Sequence, residues 1–367
     1  MTREARPISS LELNRATLAR QMLLTRSNTP VLHALEWFIG LQAQAPQAPY
    51  YSLWTRLEAF EPTELSSIIL DRQAVRIALM RSTLHLVSAN DCLLLRPWIQ
   101  PAQERALKGS FGKRLVTVDL NVLAAEGRKL VEEKPLTFSE IGKLLAPYWP
   151  DADPEALAAA VRTYVPLVQV PPRGLWGESG QAIHTSAEAW MEQPMLEQPD
   201  VEQLVRRYLS AYGPASVKDM QAWSGLTRLK DYFEKLRPGL VIFRDELRNE
   251  LFDLPDAPRP ASGVIPPVRF LGEFDPMLFG IADRSRVMDR MYSKRIFTAN
   301  GILRSTILLN GYIEGLWSIK RDSGLAVLHI DPFRPLTKEE QLDLIQEGQK
   351  LLEFAAPGVD HEIRFIK

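Results

Sequence analysis

Three stretches of the chain repeat one plan, helices separated by a tight turn and then a β-hairpin, and this recurrence limits the fold more than any other feature. In the first, "SLELNRATLARQMLLTR" sets Leu11, Leu18 and Met22 at helical spacing. Residues 31–42 and 63–72 read as two further helices, the latter opened by Thr63 with Glu64 beside it. "VRIALM" and "STLHLV" are short apolar and β-branched runs joined by "RS", a hairpin pattern, and "SANDCLLLRPWI" returns to helix with Ser88 or Asn90 as cap. The second stretch begins near Val118 with a helix, "DLNVLAAEGRKLVEE", stopped by Pro135. Thr137 and Glu140 then stand in capping-box spacing, and "DPEALAAAVRTYV" is a helix with Pro154 in its first turn. "PLVQVPPRGLWGESGQAIHT" is a Gly- and Pro-rich hairpin with a long tip. In the third stretch, residues 201–236 divide into three short helices at "AYGPAS" and "SGL", and the strands "LVIFRD" and "RNELFDL" follow.

Three short helices and a two-stranded wing are the winged-helix pattern, a variant of helix-turn-helix. "PDAPRPASGVIPP" is the clearest linker, with five prolines in thirteen residues. Beyond it the chain becomes strand-rich: "STILLN", "YIEGLWSI" and "LAVLHI", with Asn310-Gly311 as a hairpin turn, then the amphipathic helix "TKEEQLDLIQEGQKLLEF" and the strand "HEIRFI". The class is α+β. Boundaries are expected at 1–116 for the first unit, 117–198 for the second, 199–258 for the third and 259–367 for the strand-rich remainder. The units repeat in structure only, without a fixed sequence period.

Composition narrows the function classes. No apolar run approaches the roughly 20 residues of a membrane span, and "MTREARPISS" lacks the apolar core of a signal peptide, so the expected location is the cytoplasm. A single cysteine, Cys92, leaves no internal disulfide framework. The five histidines are scattered, and the one close His/carboxylate pair, His33 with Glu36, reads as ordinary helix surface, so no metal is expected. A net charge of −1 argues against a uniformly positive surface but leaves room for a basic groove.

One segment fits no structural role easily. In "GLQAQAPQAPYYSLW" the helical stripe Leu32, Leu35, Phe38/Ile39 continues to Gln42, where an apolar residue is expected, and a buried amide needs partners. Residues two apart on a continuous helix point about 200° apart, so Gln42 and Gln44 share a site only if the helix ends between them. Pro46 biases Ala45 out of helical geometry and supplies such an end. On residues alone the pair is either surface filler or a site. Pro49, Tyr50 and Tyr51 read as the start of the next packed helix.

"GLQAQAPQAPYYSLWTRL", "RSTLHLVSANDCLLLRP", "VPPRGLWG", "YGPASVKDMQAWSGL" and "FLGEFDPMLFGIADRSR" together resemble, in order, the helix-turn-helix DNA glycosylases of the AlkZ/YcaQ kind. The resemblance runs from about residue 11 to about 355. It implies three tandem winged-helix units bent into a C shape, and hydrolysis of the N-glycosidic bond of alkylated purines (N7-alkylguanine, N3-alkyladenine), with unhooking of interstrand crosslinks included. The family motif Gln–apolar–Gln of the azinomycin-resistance branch is matched by Gln42-Ala43-Gln44; the other branch carries aspartate at the second position. The implied roles of Gln42 and Gln44 are catalytic, with no cofactor and with double-stranded DNA bearing alkylated purines as partner. The enzyme is expected to be a bacterial monomer, nucleoid-associated when on DNA.

Expected DNA contacts follow from charge and place. "DRSRVMDRMYSKRIFTANGILR" is the densest basic segment, with Arg284, Arg286, Arg290, Lys294, Arg295 and Arg304, suited to phosphate or, alternatively, to a solvated face with internal ion pairs. Arg81, Thr83 and His85 in the first wing lie near the glutamines in sequence, for phosphate or the displaced nucleotide, with His85 equally readable as structural. Arg173 and Trp176 occupy the tip of the second hairpin, where they either probe a groove or pack back. Arg15 and Arg20 read as surface, and Glu273 and Asp275 of "GEFDP" as a structural turn. The competing readings are a non-catalytic winged-helix regulator and a protein-interaction scaffold. The regulator favours a dimer with a basic recognition helix, and "TRLKDYFEKL" is only weakly basic.

Overall fold

A computed structural model describes residues 5–197, 200–298, 301 and 303–366. The chain is α+β, and the order of elements follows the sequence pattern. The first stretch forms the helices Ser10–Arg20, Val31–Trp37, Ala48–Trp54 and Pro62–Leu70, the hairpin Ala74–Ala78/Leu84–Ser88, and the long helix Ala89–Phe111 capped by Ser88. The fourth helix starts earlier than expected, because Glu61 and Glu64, not Thr63, close its capping box. The second stretch forms Leu120–Glu133, Phe138–Leu145 and Pro154–Tyr164, with the Thr137/Glu140 box in place. The third forms Val201–Tyr212, Val217–Ser224 and Lys230–Leu236, then the strands Val241–Arg244 and Glu250–Asp253.

The hairpins of the first two stretches share one six-stranded sheet. Ala74–Ala78 pairs with Leu84–Ser88 on one side and with Leu167–Gln169 on the other, where Ile77 faces Val168. One edge of this sheet is a two-residue strand, Leu41–Gln42, with Leu41 opposite Leu86 and Gln42 opposite His85. The third hairpin forms a separate three-stranded sheet, joined in parallel by Arg6–Pro7 from the N-terminal segment. The last part is a five-stranded sheet packed against the helix Lys338–Ala355. Asn310 and Gly311 take the positive φ angles, 48° and 87°, that the expected hairpin turn requires.

Two arginines of the first helix are buried, against the expectation of a surface position. Arg20 forms an ion pair with Asp253 at 2.7 Å, both side chains fully enclosed, and also reaches the Pro258 carbonyl. Arg15 donates to the Val264 carbonyl at 2.8 Å and to Asn14 at 2.5 Å. A buried guanidinium needs acceptors on several sides. Here the proline-rich segment supplies backbone carbonyls that have no helix or sheet partner, so it is pinned to the first helix and does not hang as a free linker. No helix among the described residues is long and apolar enough to cross a membrane.

Candidate active site

The helix expected over 31–42 ends at Trp37, five residues before the first glutamine. Ile39 and Gly40 take φ angles of 55° and 89° and turn the chain from helix into an extended segment. A Cβ on Gly40 would lie 2.4 Å from Val87 Cγ1 and 2.9 Å from the Leu86 carbonyl, so only glycine allows the turn to press against the neighbouring strand. In an extended chain, side chains two apart share a side. Leu41 and Ala43 therefore enter the apolar core together, and Gln42 and Gln44 project together on the other side. The amides converge as expected, but through strand alternation and not through a helix end between them.

Gln42 donates from Nε2 to Gln44 Oε1 at 2.5 Å, and Arg81 Nη2 donates to Gln42 Oε1 at 2.9 Å. A guanidinium has donors only, so the Gln42 carbonyl oxygen must face Arg81. Its NH₂ must then face Gln44, and the Gln44 oxygen must face back. One donor-only neighbour thus assigns the orientation of both amides, and leaves the Gln44 NH₂ and one lone pair of its oxygen outward. Gln42 is buried and Gln44 exposed, so the pair presents its free end at the surface.

Arg81 sits in the turn Met80–Ser82 of the first hairpin at φ 55°. Its other Nη donates to the Trp223 carbonyl at the end of the Val217–Ser224 helix, so the arginine bridges the first and third stretches. The backbone of Gly225 lies against Arg81 so closely that a Cβ there would stand 3.2 Å from Arg81 N and Cα. Arg81 also lies over the Phe279 ring at 5.1 Å, and Arg284 lies over Phe279 at 6.0 Å and over Phe297 at 4.8 Å. Burial pushes the Arg81 guanidinium down to about 10, so it stays cationic at neutral pH. Behind the glutamines, the buried Arg76 donates to the Ala43 carbonyl at 2.7 Å and to the Arg173 carbonyl at 3.1 Å. Sequence reading missed Arg76 because it stands inside an apolar strand run, where nothing marks its partners.

The remaining expected DNA residues separate by environment. His85 is buried, hydrogen-bonded through Nδ1 to the Thr83 carbonyl at 2.9 Å, and its pKa is pushed down to about 3, chiefly by burial. It is a neutral interior group and not a phosphate contact. Thr83 turns its hydroxyl to the Met80 carbonyl. Arg286 is buried and spends Nη1 on the Pro214 carbonyl at 3.0 Å, at the wall of an open groove. Arg284 is partly buried, with Nε on the Leu278 carbonyl, and reaches the site region through Phe279. Arg295 pairs with Asp331 at 2.9 Å and covers Phe333. Arg290, highly exposed, has Asp283 at 3.7 Å, and Lys294 and Arg304 are exposed. Arg173 donates to the Gly180 carbonyl within its own loop.

The second hairpin's tip folds back onto the body. Trp176 packs on Tyr50, Tyr51 and Phe354, Tyr50 donates to the Gly174 carbonyl at 3.0 Å, and Gln47 to the Leu175 carbonyl at 3.0 Å. The packing alternative for Trp176 is the one realised. Asp275 is fully buried against Arg56 at 2.7 Å and caps Met277, the structural role expected of it in "GEFDP".

Short helices and hairpins bring two of the stretches together around a polar site with arginines beside it. Residues 35–354 match the family model described as DNA glycosylase AlkZ-like, and the chain belongs to that family. Membership assigns it DNA glycosylase activity and DNA as its partner. Among solved structures it is similar to the Streptomyces sahachiroi DNA glycosylase AlkZ, with a TM-score of 0.78 and 18% identity over 98% of this chain and 100% of that one. At that identity the likeness shows the fold. No curated protein sequence matches the chain.

Proposed function

We propose that the chain hydrolyses the N-glycosidic bond of alkylated purines, N7-alkylguanine and N3-alkyladenine, with interstrand crosslinks through the same positions among its substrates, and that Gln42 and Gln44 position the water. The observation that carries this reading is the amide pair itself, joined at 2.5 Å and held in one orientation by Arg81. An amide is no general base near neutral pH, but it donates and accepts hydrogen bonds in fixed directions. Such a group suits a reaction that needs placement more than proton transfer. Alkylation at N7 or N3 puts a positive charge on the purine. When the bond from C1′ to the base breaks, the electron pair goes to the base, which departs neutral without a general acid. The oxocarbenium-like sugar then takes the oxygen of water, and the proton passes to solvent. The outward lone pair of Gln44 Oε1 and the outward N–H groups of the pair are the groups available to hold that water. Arg81, hydrogen-bonded to Gln42 Oε1, acts as a positioning residue whose charge also strengthens the Gln42–Gln44 bond. The site is completed by the first and third stretches of one chain, which supports a monomeric enzyme. We read the host as bacterial and the enzyme as cytoplasmic, on the nucleoid when bound.

The test is base release from duplex DNA carrying 7-methylguanine, comparing wild type with Gln42→Ala and Gln44→Ala. Loss of release in both variants supports the assignment. Undiminished release in both removes the glutamines from catalysis, and no release by the wild type favours a DNA-binding role without alkylpurine chemistry.

A further inference from the structure

An open groove of about 620 Å³ begins at Ala45 and Pro46, the residues directly after Gln44, and is walled by Tyr51 and Trp317. Three charged side chains line it, Glu273, Arg304 and Asp331, and Asp331 is already paired with Arg295 at 2.9 Å. Glu273 is half-buried in the turn that Asp275 anchors to Arg56, and its carboxylate has no hydrogen bond or ion pair to any described residue. Its neighbour Asp275 is the structural member of "GEFDP"; Glu273 is left over from that role. Burial raises the Glu273 carboxyl above its usual range, as expected of a carboxylate partly withdrawn from water. Arg304 is exposed, and no ion pair joins it to Glu273.

An unpaired, half-buried carboxylate is costly unless something cationic meets it. In DNA the cation of this size is rare: an alkylated purine carries positive charge on the base beside the negative phosphate of the same nucleotide, and an ordinary nucleotide carries only the negative one. We infer that this groove is the subsite of the alkylated nucleotide, with Glu273 facing the cationic base, Arg304 its phosphate, and Tyr51 and Trp317 forming the wall against the purine ring. The inference rests on the alkylpurine reading above and supplies its selectivity. Glu273 favours the damaged base by attraction and disfavours intact DNA by repulsion, so the discrimination has both an attractive and a repulsive part.

Equilibrium binding separates these terms. The probe is a duplex containing 2′-fluoro-7-methyl-deoxyguanosine, whose glycosidic bond resists cleavage because fluorine disfavours the oxocarbenium, set against the undamaged duplex of the same sequence. The measurement is made at neutral pH, because burial raises the Glu273 carboxyl and acid would favour its uncharged form. Glu273→Gln is expected to reduce the lesion preference about tenfold, the size of one charge-assisted contact, while binding to the undamaged duplex holds or tightens. That retained binding also shows the variant to be folded. Arg304→Ala is expected to weaken both duplexes by the same factor. An unchanged lesion preference in Glu273→Gln overturns the subsite, as does a wild type that binds the two duplexes equally. Release of 7-methylguanine from the unfluorinated duplex is assayed alongside. Wild type that binds the lesion selectively but releases no base overturns the alkylpurine reading in its own assay, and the subsite's catalytic purpose with it.

Discussion

At the scale of single residues, the site depends on a guanidinium that cannot accept a hydrogen bond. Replacing either glutamine by alanine removes one end of the chain Arg81–Gln42–Gln44. Each variant is expected to lose about 100-fold in the single-turnover rate of base release, the usual loss when a reacting group is misplaced by an ångström. Arg81→Lys keeps the charge but has one nitrogen where the fork served both Gln42 and the Trp223 carbonyl. It is expected to lower that rate while leaving affinity for undamaged duplex unchanged, and a fall in affinity alone would make Arg81 a DNA contact instead. Neither amide titrates and Arg81 stays charged up to about pH 10. The rate enhancement over spontaneous depurination of the same lesion should therefore be flat from about pH 6.5 to about pH 9, without the limbs that an ionising general base produces. His85 acts on stability. Its folded pKa of about 3 lies below the 6.5 of the free side chain, so between these values the unfolded chain binds a proton that the folded one does not. His184, pushed down to about 4 by burial, acts in the same direction. The thermal midpoint should fall as pH is lowered from about 6.5, and fall less steeply in His85→Gln.

At the scale of elements, the turn before the glutamines matters more than the helix that precedes it. Gly40→Ala places a Cβ against Val87 and the Leu86 carbonyl at a φ of 89°, and so pushes the Leu41–Gln42 strand off the sheet edge. This variant is expected to lose base release about as severely as Gln42→Ala and to be destabilised by roughly 1–3 kcal/mol in urea titration. Much at this scale was legible in the sequence because it is local. The Thr137/Glu140 box, the Ser88 cap and the Asn310-Gly311 turn each involve groups within three residues of one another. The helix stripe from Leu32 to Gln42 misled because Ile39 and Leu41 fit a helix or a strand equally well, and tertiary contact with Val87 and Leu86 decides between them. The glutamines were legible as a pair, but Arg81, 39 residues from Gln42, was not legible as their holder. The burial of Arg20 is set by Asp253, 233 residues away, and the burial of Arg286 by a Pro214 carbonyl, so neither burial was legible in the sequence.

At the scale of the whole molecule, the first helix, the proline-rich segment and the third hairpin are tied at the Arg20–Asp253 pair. Arg20→Met leaves Asp253 with Arg259 alone and is expected to cost about 3–5 kcal/mol of unfolding free energy, read as a lowered urea midpoint. Of the cations named from the sequence, Arg290, Lys294 and Arg304 are exposed, and Arg290 has Asp283 nearby. The slope of log Kd against log salt should accordingly be shallow, about 2 to 4 in magnitude, and should fall by about 1 in Lys294→Ala.

The bridge from Arg81 to the Trp223 carbonyl has a consequence for how such a site is inherited. Residues 1–198, expressed alone, would retain both glutamines and the shared sheet, yet the arginine that sets the amides would lose its anchor and its aromatic support at Phe279. The catalytic motif is therefore not portable. Recombination that exchanged the first unit for another carrying the same two glutamines would deliver the letters of the motif without its geometry, and the two distant segments have to vary in step.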